Sequence, residues 1–189
     1  CRGNSIFPAA RIVGHKNGPE EMEQYWKDLD KVEKSLKTTV EEYEAKLQDC
    51  PPHSEEWYNN FTQVIRYQSA YRDAIKKVPI RIPDLLFEDS LTINMGDVTF
   101  ELKYFGRCHS NSDILIYIPE LHILFTGDLM LQYGRPSIRE KFLAEKDIWH
   151  SAVAWTEKRM PYIETVIGGH GQVFAKDELK SFNRNILEK

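Results

Sequence analysis

The chain carries six histidines, His15, His53, His109, His122, His150 and His170. Two of them stand where a strand-like stretch gives way to glycines. His109 follows Thr99–Phe105 through Gly106-Arg107-Cys108, and His170 follows Thr165–Ile167 between Gly169 and Gly171. Asp128 occupies a third such junction, after Ile123–Phe125 and Thr126-Gly127. Imidazole nitrogen and carboxylate oxygen are both zinc donors at about 2.0–2.2 Å, and catalytic zinc sites keep a position for water. Strand ends hold such ligands rigidly, while neighbouring glycines let the backbone approach. Each motif alone also occurs as a plain turn. Three together, each at a strand end, point to one shared cation. His15, after a short strand, is a candidate neighbour of that site. His53, His122 and His150 lie beside turns or on helix faces and read as surface or packing residues. Cys108 adjoins His109, but neighbours along a strand end point apart, so it reads as a core residue.

These junctions need strands to position them. Leu91, Ile93 and Met95 alternate with polar residues, Gly96-Asp97 makes a turn, and Val98, Phe100, Leu102 and Tyr104 alternate again, which predicts a hairpin with one buried face. The apolar runs Ile114–Ile118 and Ile123–Phe125, joined at Pro119-Glu120, predict two strands buried on both faces. A helix is expected over Ile138–Arg159, a short strand over Thr165–Ile167 and a closing helix over Asp177–Leu187. Upstream, residues 5–14 read as a loop feeding a short strand. Gly18-Pro19 with Glu20 and Glu21 then marks a helix start.

From there the pattern turns helical. Apolar residues at Met22, Tyr25, Trp26, Leu29, Val32, Leu36, Val40, Tyr43 and Leu47 predict one helix of about 30 residues. Ten acidic and five basic residues between Pro19 and Asp49 concentrate negative charge on its outer face. Pro51-Pro52 ends it, and a second helix follows from Ser54, a natural cap, to Lys77. Two long helices joined by a short turn form an antiparallel hairpin, spanning residues 19–78, with a coiled-coil dimer as the alternative.

Bulk properties narrow the function. At 189 residues the chain suits a single domain, here with an inserted helical hairpin. Its net charge of −4 argues against a nucleic-acid binder. No run of eighteen apolar residues exists, which argues against a membrane span. Three cysteines form no disulfide framework and no Cys-x-x-Cys zinc knuckle, so a reducing compartment is permitted.

The blocks Gly106-Arg107-Cys108-His109-Ser110-Asn111-Ser112-Asp113, Leu124-Phe125-Thr126-Gly127-Asp128 and Val166-Ile167-Gly168-Gly169-His170-Gly171 together resemble the metallo-β-lactamase superfamily. The resemblance covers about residues 1–19 and 80–189. It implies an α/β fold, the αβ/βα sandwich of that family, with residues 19–78 inserted. It also implies that His109, Asp128 and His170 are metal ligands, with Asp128 bridging two ions in a dinuclear site. One or two Zn²⁺ ions would then activate water for attack on an ester, thioester, lactone or lactam bond of a small-molecule substrate. Tyr133 and Arg135, five to seven residues after Asp128, are candidate pocket residues, and Arg135 could steady an anionic substrate. Iron in place of zinc would give an oxidoreductase on the same fold, similar to persulfide dioxygenases. A third possibility is a non-catalytic fragment or interaction module built on the hairpin.

The family's His-x-His-x-Asp-His signature is absent. In relatives it is followed by residues similar to Cys1-Arg2-Gly3-Asn4 and Ile6-Phe7-Pro8, so the chain is expected to be N-terminally truncated just after it. Four further ligands and the N-terminal half of the fold would come from the same or another chain. The helical insert is a candidate lid or homodimer surface.

Overall fold

The computed structural model describes residues 2–131, 135–136 and 146–187. The chain divides into two compact units, one of Cys1–Ile12 with Pro19–Ile82 and one of Val13–Gly18 with Pro83–Lys189.

The first unit is helical: α1 (Gly18–Trp26), α2 (Leu29–Asp49) and α3 (Glu55–Ile75). The single helix expected from Pro19 to Asp49 is broken at Lys27-Asp28. The reason is local. Asp28 leaves helical geometry and its carboxylate accepts the Lys31 N–H at 3.0 Å, capping α2. Ser54 caps α3 in the same way through the Trp57 N–H at 3.1 Å. Helices α2 and α3 run antiparallel within one chain. Asn60 reaches the Cys50 sulfur near the turn, and Gln68 donates to Glu44 at 2.7 Å further along. Leu36 and Val40 of α2 and Val64 and Ala74 of α3 are buried, and Tyr43 stacks on Tyr67.

The second unit is built on a sheet. Strands β1 (Val13–His15) and β2 (Leu85–Phe87) pair in parallel. A six-stranded sheet follows, from β3 (Ser90–Asn94), β4 (Thr99–Tyr104), β5 (Ile114–Ile118), β6 (Ile123–Gly127), β9 (Thr165–Gly168) and β10 (Phe174–Ala175), in the order β10-β9-β6-β5-β4-β3. Only β6 and β9 pair in parallel there. Between them run the short pair β7 (Met130–Leu131) and β8 (Arg135–Pro136) and helix α4 (Lys146–Arg159); helix α5 (Lys176–Leu187) closes the chain. The expected helical stretch 138–145 lies outside the described residues.

Helices α4 and α5 cover one face of the sheet. Leu115, Tyr117, Leu124 and Val166 pack there with Trp149, Ala152 and Val153 of α4 and Leu179 and Phe182 of α5. Each fully buried Leu or Phe contributes about 1.5–3 kcal/mol. Strands β5 and β6 were expected to be buried on both faces, but Ile114, Ile116, Ile123 and Phe125 on the other face are only half-buried. The run of apolar residues hides a period of two, because the helices pack against a single side; at the end of β5, Ile118 is buried on the other face as well. Among the described residues no helix is long and apolar enough to cross a membrane.

Candidate metal centre

Asp128 and His170 owe their proximity to the parallel pairing of β6 with β9. The register sets Phe125 beside Ile167 and, after a shift, Gly127 beside Gly168. Both strands therefore end together, and the residues that follow them share one edge of the sheet. Carboxyl ends of parallel strands are where open α/β sheets present ligand sites. Gly127 adopts a positive φ of 54°, and its carbonyl accepts the Gly169 N–H at 2.7 Å. Thr126, fully buried, holds the turn by donating to the Met130 carbonyl at 2.6 Å, while Leu129 N–H donates to the Thr126 carbonyl.

His109 arrives from β4 through Gly106, whose φ is 114°. The loop behind it is pinned at several points. Ser110 N–H donates to the Asp113 carboxylate, and Cys108 N–H donates to the Ser110 carbonyl at 3.2 Å. The Tyr104 hydroxyl donates to the Asn111 side-chain oxygen at 3.1 Å, and the Asn17 amide donates to the Asn111 carbonyl at 3.0 Å. Cys108 itself is buried.

The three candidate ligands meet at the Asp128 carboxylate. Its Oδ2 lies 3.6 Å from His109 Nδ1 and its Oδ1 lies 3.3 Å from His170 Nε2. Each oxygen faces one ring, so the carboxylate sits between the imidazoles. Among the described residues, no group of three or more His, Cys, Asp or Glu side chains closes around a single ion position. The two pair distances nevertheless suit metal ligation. Two donors about 2.1 Å from one tetrahedral ion stand about 3.4 Å apart. His109 Nδ1 is buried and has no hydrogen-bond partner, a cost that a bound cation would relieve. Gly169 completes the fit, since a Cβ there would collide with Asp128 Oδ1. His170 is the most open of the three, at 41% side-chain exposure against 16% for His109.

His15 does sit beside this loop. It is buried, stacks face-on against Tyr104 at 3.6 Å between centroids and meets the edge of Phe87 at 5.9 Å. The Asn17 N–H donates to its Nδ1 at 3.3 Å, which leaves the ring proton on Nε2. Burial lowers the His15 pKa below its ordinary 6.5, against the opposing pull of the Glu88 backbone. Asn17, Tyr104 and Asn111 carry no sequence signal for this role, because their contacts span 87 and 94 positions along the chain. His122 takes a left-handed turn and bonds the Tyr162 carbonyl, and His53 lies among Trp57 and Tyr58 at the hairpin turn. Tyr133 lies outside the described residues, as does the side chain of Arg135.

Residues 6–170 match the family model of the metallo-beta-lactamase superfamily. The chain belongs to that superfamily. It is similar to the metallo-beta-lactamase type 2 of Bacteroides fragilis, with 25% identity over 117 residues that cover 62% of this chain and 47% of the relative. The chain thus spans about half the length of that curated metallo-beta-lactamase. Among solved structures it is similar to a metallo-beta-lactamase from Pontibacter korlensis, with 19% identity, TM-score 0.45, and coverage of 74% of this chain and 68% of that one. DIM-1 metallo-beta-lactamase gives 19% identity and TM-score 0.47 over 64% and 56% of the two chains. The sec-alkylsulfatase Pisa1 from Pseudomonas sp. gives 20% identity and TM-score 0.43 over 56% and 17%. The metallo-beta-lactamase fold is α/β, which the mixed sheet and its helices match, and the helical unit is consistent with an insertion.

Proposed function

We propose that His109, Asp128 and His170 are ligands in the metal centre of a hydrolase that cleaves an ester, thioester, lactone or lactam bond of a small molecule. The observation that carries this reading is the carboxylate of Asp128 held between two imidazoles at 3.3 and 3.6 Å. Neutral His109 and His170 offer ring nitrogens, and the charge of Asp128 offsets that of the cation. Gly169 leaves the space in which the carboxylate turns toward both rings. A bound Zn²⁺ lowers the pKa of water from 15.7 toward about 7 and polarises a carbonyl oxygen. Tyr133 and Arg135 are proposed to line the substrate pocket, with the guanidinium of Arg135 pairing an anionic group of the substrate.

The His-x-His-x-Asp-His motif is not among the 189 residues. We assign the remaining ligands, and the other half of the fold, to a segment of polypeptide outside them, in the same chain or another. Histidine and carboxylate donors suit iron as well as zinc, so metal content is the deciding measurement. Elemental analysis, followed by a panel of ester, thioester, lactone, lactam and phosphodiester substrates, tests the proposal. Stoichiometric zinc with hydrolysis that is lost in His109→Ala and Asp128→Ala supports it. Iron with sulfur-dependent oxygen uptake replaces it with an oxidoreductase. Activity of either variant within tenfold of the parent refutes the ligand assignment.

A further inference from the structure

The proposed metal chemistry uses nothing of the helical unit, yet α3 presents an unusual outer face. Tyr58, Phe61, Ile65 and Ile75 are 53%, 39%, 50% and 50% exposed. Their spacing places them on one stripe; Gln68 and Arg72 fill the turn between, Gln68 at the edge where it bonds Glu44 of α2. Ala74 on the far side of α3 is buried, and so is Val64, which flanks the stripe on the side of Ile75. The stripe is also stiff at its N-terminal end. Trp57 stacks on Phe61 at 4.9 Å and takes the edge of Tyr58 at 5.2 Å. Rigid aromatic residues lose little entropy on docking and dominate interface energetics.

The charges say what fits the stripe. Glu55 and Glu56 open α3, while Arg72, Lys76 and Lys77 close it. A helix with acid at one end, base at the other and an apolar stripe between is complementary to itself in antiparallel orientation. A two-fold axis near Ile65 would set Tyr58 against Arg72, where a cation–π contact forms, and Glu55 against Lys76. We propose that α3 is an isologous interface on which a second copy of this chain seats its own α3 in antiparallel orientation. An α3 of 21 residues is about 30 Å long. One helix pair of that length falls short of the roughly 1,200 Å² of a standard interface, so the test must reach high protein concentration.

Sedimentation velocity on the complete protein, with the polypeptide that supplies the other half of the fold, from about 1 to about 300 μM, tests this. The expected result is a reversible equilibrium between one copy of that protein and two. Ile65→Asp places a charge in the apolar stripe and weakens the dimer about a hundredfold with helix content unchanged by circular dichroism. If that variant loses helix, Tyr58→Ser combined with Ile75→Ser carries the same expectation. Arg72→Glu with Lys76→Glu also weakens the dimer, and adding Glu55→Lys with Glu56→Lys restores it. A chain that stays monomeric throughout, whether α3 is bare or covered by another segment, overturns the proposal. A dimer indifferent to Ile65→Asp or to Tyr58→Ser with Ile75→Ser, or reversed charges that fail to restore it, does so equally.

Discussion

Gly169 and Asp128 share one volume: a Cβ on the glycine would occupy the space of the aspartate Oδ1, and would stand 3.3 Å from its Cγ. The carboxylate is flexible and the backbone carbonyl carbon of Gly127, 3.1 Å from the same point, is not. Gly169→Ala should therefore push the carboxylate away from His170 while the sheet survives. Isothermal titration with Zn²⁺ should show at least about a tenfold loss of affinity. Gly3→Ala, with nothing within 4 Å, is the control and should change nothing.

Asn17 acts as a strut for the loop that carries His109. Asn17→Ala removes the donor to the Asn111 carbonyl and should cost about 1 kcal/mol of stability. A loop released in this way holds His109 less firmly, so metal retention against a chelator should fall several-fold. Unchanged retention would show that the loop keeps its shape without this contact.

A pH dependence follows from His15. In the unfolded chain its ring titrates near the ordinary 6.5, whereas burial lowers the folded value. Between the two values the unfolded chain binds the extra proton. The contribution of neutral His15 is therefore complete above about pH 6.5 and is lost as the pH falls below it. Urea unfolding at pH 7 and pH 5 should show the decline. His15→Gln should flatten it, and should lower stability at pH 7 by about 1 kcal/mol through loss of the Tyr104 stack.

Gly106 combines two constraints. Its φ of 114° disfavours any side chain, and a Cβ there would lie 2.7 Å from Ile148 Cδ1 of α4. Gly106→Ala should destabilise the chain by about 1–3 kcal/mol. Adding Ile148→Ala should not rescue it fully, because the backbone strain remains; denaturant midpoints of the two variants decide.

What the sequence makes legible is what has a local period. The β3–β4 hairpin is visible in the alternation at Leu91, Ile93, Phe100 and Leu102, whose cross-strand pairs are realised. The glycine-flanked junctions at His109, Asp128 and His170 are also visible, and the fold brings the three side chains together. Less accessible is the break between α1 and α2, since the apolar stripe runs on across it and a single Asp28 cap decides the matter. The one-sided packing of β5 and β6 depends on where α4 and α5 lie, which an apolar run does not encode. The links from His15 and Asn17 to Tyr104 and Asn111 are contacts of distant segments, and nothing periodic announces them.

The parallel pairing of β6 with β9 has a temporal consequence. Antiparallel neighbours zip from a turn, but these two strands meet only after the whole crossover through α4 has closed. Within the six-stranded sheet this is the pairing of greatest sequence separation, and such long-range closures are the slow ones. A cation held there would clamp the closure that spans the most chain in that sheet.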